Sequence, residues 1–579
     1  MGKRWNWVLV GFLVTGGSAA FAAEMPGREF VVDGYHPQAA DANEGTVAEP
    51  WKTIGGNISR LKPGDTVLVR EGTYREQVIL HPEGWSWAGG GIDVGPVASG
   101  EPGRRISFFA WPGEDVVIKG SDVVDGWAHF RDHVWVKSGW GHNSQQVFVD
   151  GKILQQISGE MVDYLVEADR WQGRMGVGLQ DMAPGSFYYD SDEQNLYVWL
   201  EDGGDPNRHL VEASVRPFLF RVGISYTNLS GIRMMHSNTS AYINWAAVAL
   251  DGSHNVMENV EVTWTDYIAV SLGGSFNTVV NCTFNHNGNS GMAGRGHGHR
   301  VIDSTTSFNN YRNWKGDWHA GGMKIIPHAH DWVVSGDSAA YNKNSPGIWF
   351  DGWMSNVTIR NSLAHDNGQS GIFFEIGERG VIKNNVTYRN GHRGIYVADS
   401  SDTLVAHNLA LENGMSGIAV VGTGRRGGEF GRAEDEVLWV RNNIVWGNML
   451  VDNAYPPLLP EGWGDRPELI MPDERETNYN NSSDYNISYR TDGRSVSIWE
   501  GWGAGRYTFD YWREKTGNDK NSVIAEPLFV DRERLDFRPA QGSPAIGLVR
   551  PQMSVAFDFD ERRRDRKQYY TAGPFEVER

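Results

Sequence analysis

No internal disulfide can form in this chain, because Cys282 is its only cysteine. Within VVNCTF it reads as a small buried apolar residue. Positive charge is also short: 53 Lys and Arg against 72 Asp and Glu leave a formal net charge of −19. That balance argues against nucleic acid, which a protein binds by neutralising phosphates with Lys and Arg. A polyanionic polymer is a less natural partner for the same reason, except where basic side chains cluster locally. Past the N-terminus no stretch holds the roughly 18 consecutive apolar residues of a membrane span. The N-terminus itself has Lys3 and Arg4, an apolar run from Trp7 to Val14, and the small-x-small site Ala20-Phe21-Ala22. Residues 1–22 therefore read as a signal peptide, and the mature protein is expected in the periplasm or outside the cell. One cysteine in an exported chain points to a bacterial source rather than a cross-linked animal scaffold.

What the sequence has in excess is glycine and tryptophan, 71 and 24 of its 579 residues. Gly347-Ile348-Trp349-Phe350-Asp351 is echoed at Gly371-Ile372-Phe373-Phe374-Glu375, then by GIYVA from Gly394 and GIAVV from Gly417, at steps of 24, 23 and 23 residues. Asn361, Asn385 and Asn408 keep nearly the same period, as do the Asn-Gly pairs at Asn367, Asn390 and Asn413. Short β-rich runs, a polar corner and a constant period of this size describe a solenoid of stacked coils. The Asn residues are expected to bond from coil to coil at corners.

The layout follows from where that rhythm starts and breaks. Residues 23–145 read as an N-terminal cap and the first coils, with a short amphipathic helix from Trp51 to Leu61. Residues 146–210 lose the period and show hairpin signals such as Asp150-Gly151, so they are expected as an inserted antiparallel β module. Residues 211–470 carry the main coils, with long loops at 312–320 and 422–434, and residues 471–579 the last coils and C-terminal cap. The opening stretch resembles the N-terminal cap of right-handed parallel β-helix proteins, among them many polysaccharide lyases and glycosidases. The expected fold is all-β: a right-handed parallel β-helix with a cap and an inserted module.

Alternate side chains of a strand face opposite ways. Ile348, Phe350, Ile372 and Phe374 then point into the solenoid, and two columns point out. One runs Lys324, Trp349, Phe373, Tyr396; the other Ile326, Asp351, Glu375, Ala398. Strands lie about 4.8 Å apart, so Asp351 and Glu375 form stacked like charges, an arrangement that destabilises a sheet and splits two carboxyl pKa values. A protonated carboxyl beside an ionised one is the equipment of glycoside hydrolysis, and close spacing favours the retaining route. The aromatic column is expected to stack on sugar rings, with Lys324, His328 and Arg295 as further substrate contacts.

On the Gly347–Glu375 stretch the chain resembles glycoside hydrolase family 120, known for β-xylosidase activity. The resemblance implies Asp351 as nucleophile and Glu375 as acid/base, with no cofactor and no metal required. Two other classes stay open. Lys324, Arg295 and nearby histidines could serve a lyase or epimerase acting on a uronate, in which Asp351 and Glu375 would hold calcium. A carbohydrate-binding solenoid without turnover is the other. His328 and His330 could form a metal pair, and Arg425 and Arg426 could bind an acidic group or face solvent. Oligomeric state leaves no mark on the sequence.

Overall fold

A computed structural model describes residues 27–83, 95–158, 171–238, 246–426, 438–454, 467–473, 477–501, 505–566 and 568–577. The expected signal peptide and loop residues 427–434 lie outside these. The chain winds into a parallel β-helix with three faces. Two faces are 13-stranded sheets. The third is a four-stranded sheet that passes through single bridges at Thr283 and Thr305 into a seven-stranded one.

One 13-stranded sheet carries the repeated sentence. Its relevant strands are β1 (Ser290–His297), β2 (Gly321–His330), β3 (Ile348–Ser355), β4 (Ile372–Glu378), β5 (Arg393–Ala398) and β6 (Ser416–Val421). They pair in parallel, in that order. The inward residues Ile348, Phe350, Ile372, Phe374, Ile395, Val397, Ile418 and Val420 are all fully buried in one continuous core. Each removes an apolar side chain from water, stabilising by about 1.5–3 kcal/mol relative to exposure.

Corners are held by asparagine ladders, aligned as the sequence reading has them except at Asn361, which is displaced by one residue. Asn367, Asn390, Asn413 and Asn453 form one ladder, each backbone N–H and side-chain amide donating to the next Oδ1. It ends on Glu468, whose Oε2 accepts from Asn453 Nδ2 at 2.7 Å. In the second ladder the coil partner of Asn385 is Ser362, whose N–H donates to Asn385 Oδ1 at 2.9 Å. Asn361 instead occupies the left-handed corner conformation (φ 51°) beside it, a conformation Asn tolerates better than most residues. Two adjacent Asn-rich columns differing by one residue look alike in a sequence.

The ends also differ from expectation. Trp51–Leu61 forms only a 3₁₀ turn at Ile58–Arg60. The Asp41 carboxylate accepts from the Lys52 and Thr53 N–H groups, and Glu76 from those of Ile54 and Gly55, so these donors are already satisfied. Gly55-Gly56 would weaken a helix by roughly 1 kcal/mol each. Trp51, Ile54, Ile58 and Leu61 plug the end of the core all the same. At the other end, helix α1 (Phe509–Thr516) buries Phe509 and Trp512 against the core. The rest of the tail runs back along the seven-stranded face: Phe537, Val549, Tyr570 and Phe575 join Tyr388, Leu411 and Val451 in a second cluster. The tail is thus a strap along the flank rather than only a terminal cap.

Antiparallel strand pairing is present ahead of the expected start of the inserted module at 146: Ser121–Val123 pairs with Val211–Ser214, and Val134–Lys137 pairs with Ala128–Arg131 and Asn195–Trp199. The module reaches the coils through Trp171, which donates to the Arg312 carbonyl at 2.9 Å and stacks near Trp314. That contact fixes the 312–320 loop leading into β2.

Candidate active site

The register places Asp351 opposite Glu375 and Glu375 opposite Ala398. It places Lys324, Trp349, Phe373 and Tyr396 in one line. After Asp351 the β3 strand bulges, with Gly352 and Trp353 both at positive φ (85° and 63°). A bulge bends the strand and re-aims its side chains, so β3 leaves regular pairing directly after its carboxylate.

Asp351 and Glu375 are held very differently. Asp351 Oδ2 lies 3.1 Å from Lys324 Nζ, and both side chains are mostly buried, 14% and 4% exposed. Lys324 also donates to the Trp318 carbonyl at 2.6 Å and sits 3.2 Å from the centre of the Trp349 ring. Burial pulls its ammonium below the ordinary lysine range, against the opposing attraction of Asp351. The other oxygen, Asp351 Oδ1, is buried and has no hydrogen-bond partner among the described residues. Leaving such an acceptor unpaired costs about 1–3 kcal/mol, and in a native fold it calls for a functional explanation.

Glu375 is buried, and its Oε2 accepts from Trp349 Nε1 at 3.1 Å. Oε1 accepts from Arg425, which also donates through Nε to Asp399 at 3.0 Å. Asp399 is locked in turn by the Thr423 N–H and hydroxyl. Burial raises the Glu375 carboxyl above the usual carboxylate range, the Asp351 charge raises it further, and Arg425 and Lys324 oppose both. Burial also opposes the charge on Arg425, but Glu375 and Asp399 raise its pKa overall. Two like groups therefore sit in contrasting surroundings, Asp351 against a buried ammonium and Glu375 in a pocket that disfavours its charge.

Several expected contacts are placed otherwise. Trp349 and Tyr396 are 3% and 8% exposed. The rings of Trp349 and Phe373 stack at 5.1 Å, and those of Phe373 and Tyr396 at 4.4 Å. Lys324 lies over Trp349 and Arg393 over Tyr396. In-register parallel strands put equivalent rings face to face, so the three aromatics stack on one another and under cations, with Phe373 partly exposed. His328 is exposed, in left-handed backbone (φ 60°), with its ring 6.4 Å from that of His330. It stands past the bulge, away from the pair. Arg295 is exposed on the same sheet, upstream of Lys324, where it lines a cleft with His319, Ile326 and Pro327.

Arg425 proves to bind acidic groups of the protein itself. Its partner Asp399 escaped notice because it lies one residue beyond the repeat position, at a left-handed corner (φ 46°). The only trace in the sequence was the acidic residue following Ala398. Among the described residues no group of three His, Cys, Asp or Glu side chains converges as a metal cage. Asp351 and Glu375 are flanked by Lys324 and Arg425, two cations where a calcium site requires further oxygen ligands.

The family described as right handed beta helix region matches residues 315–454. The uncharacterized protein YwoF of Bacillus subtilis (strain 168) is 25% identical over 161 residues, 27% of this chain and 30% of that protein. The match thus spans under a third of that relative. Among solved structures, the complex of XylC with xylose superposes with a TM-score of 0.63 at 14% identity, covering 95% of this chain and 98% of XylC. Pectate lyase Pel9A covers 96% of this chain and 97% of its own at a TM-score of 0.43 and 14% identity. Together with the strand order, the family match and the XylC superposition establish the fold: this chain is a right-handed parallel β-helix.

Proposed function

We propose that the protein is a glycoside hydrolase that cleaves an oligo- or polysaccharide by a retaining double displacement. The observation that carries this reading is the asymmetry of the stacked carboxyls. Asp351 has one oxygen fixed by Lys324 and the other unpartnered, and Glu375 beside it has a raised pKa.

In the first step the Asp351 carboxylate attacks the anomeric carbon while the bond to the leaving oxygen breaks. Glu375 passes its proton to that oxygen, leaving a glycosyl ester on Asp351 and a carboxylate on Glu375. In the second step Glu375 takes a proton from water, whose oxygen attacks the anomeric carbon and releases Asp351. Both carboxyls return to their starting states. Lys324 holds Asp351 in place through their ion pair, and Trp349 orients Glu375. Strands about 4.8 Å apart suit the close carboxyl spacing of retaining enzymes, about 5–5.5 Å. The XylC structure was solved with xylose, which supports a saccharide substrate here, as does the resemblance to family 120.

A uronate lyase with Lys324 as its base would need that side chain to reach substrate. Its burial, with Nζ committed to Asp351 and the Trp318 carbonyl, speaks against that role. The test is turnover on a panel of plant and algal oligosaccharides, read by product mass and ultraviolet absorbance. Saturated products are expected, with Asp351→Asn and Glu375→Gln each losing about 10²–10⁴-fold. An unsaturated product, or near-normal turnover by either variant, would overturn the reading.

A further inference from the structure

The sheet face on either side of the carboxyl pair is unequal. Downstream, the outward positions are filled: Ala398, Ala419 and Val421 are fully buried, and Ile470 and Trp499 pack with them. Upstream, the column that carries Trp349, Phe373 and Tyr396 reads Lys324, Ala293, Ser271, Ala249, Arg221. Three small side chains between two cations leave a trough, and a cleft of about 460 Å³ opens there. A substrate chain reaching Asp351 along this face finds room on the upstream side.

The charges lining that cleft are uneven. Arg221 pairs with Asp251 at 2.8 Å. His319 is buried, and burial holds its imidazole neutral, with a pKa lowered to about 3. Arg295 is different: its guanidinium is exposed and has neither a hydrogen bond nor an ion pair among the described residues. Its backbone carbonyl lies 3.1 Å from His299 Nε2. In a chain of net charge −19, a cation without a counter-ion on the wall of a substrate-sized cleft is a recognition element. Arg295 lies two coils before Asp351, about 10 Å along the helix axis, beyond the reach of the bond-breaking step but within one neighbouring sugar. The planar guanidinium fork matches a carboxylate bidentately.

We propose that this cleft is a subsite for an acidic sugar, with the carboxylate of a uronic acid residue held by Arg295. The assignment rests on the glycosidase reading, and it specifies the substrate as a uronate-containing glycan that occupies the coils upstream of the pair.

The probes are glucuronate and its neutral isostere glucuronamide, titrated by saturation-transfer NMR into the full chain. Wild-type protein is expected to bind glucuronate about tenfold tighter than glucuronamide. The ratio should fall to about one in Arg295→Ala and lie between in Arg295→Lys, which keeps the charge but loses the fork. Arg295 is exposed, so these variants leave the core untouched. Glu375→Gln should keep the wild-type ratio, which separates binding in the cleft from the chemistry at the pair. Equal binding of the two probes by wild type, or a preference that survives Arg295→Ala, would overturn the proposal. If the preference follows Arg295 but Asp351→Asn retains turnover, the glycosidase reading falls and the anionic subsite stands.

Discussion

Replacing Lys324 with Met removes the ammonium 3.1 Å from Asp351 while keeping most of the side-chain volume. At an effective dielectric near 20 the attraction between unit charges at that distance is about 5 kcal/mol. Burial cancels part of it, and breaking a buried pair by removing one partner typically costs about 3–5 kcal/mol. Asp351→Asn leaves Lys324 buried with only the Trp318 carbonyl and the Trp349 ring, and should cost a similar amount. The double variant Lys324→Met/Asp351→Asn removes both charges and should recover much of the loss. A coupling of about 2–4 kcal/mol is therefore expected. Native-state hydrogen exchange over β2 and β3 is the suitable assay, because it reads local opening free energies in a long stack of coils. Each single variant should expose these amides faster, and the double variant should restore protection. Additive effects, with a coupling below about 0.5 kcal/mol, would refute a linked pair. Turnover gives a second readout: Lys324→Met should lose activity through a mispositioned Asp351, and no exogenous amine should rescue it as it would a missing base.

Three further outcomes follow from the same physics. Arg425→Gln removes a cation that lowers the Glu375 pKa, so the alkaline limb of the pH–rate profile should move to higher pH; a downward move would contradict the assigned acid. Glu468, fully buried, has its carboxyl raised by burial to about 7 from 4.5. Below pH 4.5 folded and unfolded chains both hold its proton, and between there and about 7 only the folded chain does. Stability should fall as pH rises through that window, by on the order of 3 kcal/mol, and Glu468→Gln should flatten the slope measured by urea unfolding. Asn390→Ala strands the Asn367 donors and the Ala364 carbonyl. It should cost about 2–4 kcal/mol in local exchange protection, against under about 1 kcal/mol for Asn228→Ala, which loses one partly buried bond to Ser107.

The sequence was most informative where the repeat was strict. Period and alternation together determined that Asp351 faces Glu375 and that Lys324 heads the aromatic line, because a parallel coil leaves no freedom to slip by one residue without turning Phe350 and Phe374 out of the core. What lies outside a coil does not follow from its period. Trp349 and Tyr396 point outward as expected, yet neighbouring rings and cations cover them, and nothing in the spacing shows this. Arg425 and Asp399 meet through a loop that belongs to no repeat. Only Asn361 was misaligned, by one residue, because Asn serves two adjacent purposes, a left-handed corner at Asn361 and an inward ladder at Asn385. The tail's path along the flank was hidden because its apolar residues, Phe537 to Phe575, suit a terminal cap equally well.

The central claim is that Asp351 becomes covalently bonded to the sugar. Incubation with a panel of 2-deoxy-2-fluoro glycosides carrying good leaving groups slows the second step and lets the ester accumulate. Intact mass and peptide mapping should then find one glycosyl group on the peptide containing Asp351, and none in Asp351→Asn. An adduct on another residue, or steady turnover of the true substrate with inversion at the anomeric carbon, would contradict it.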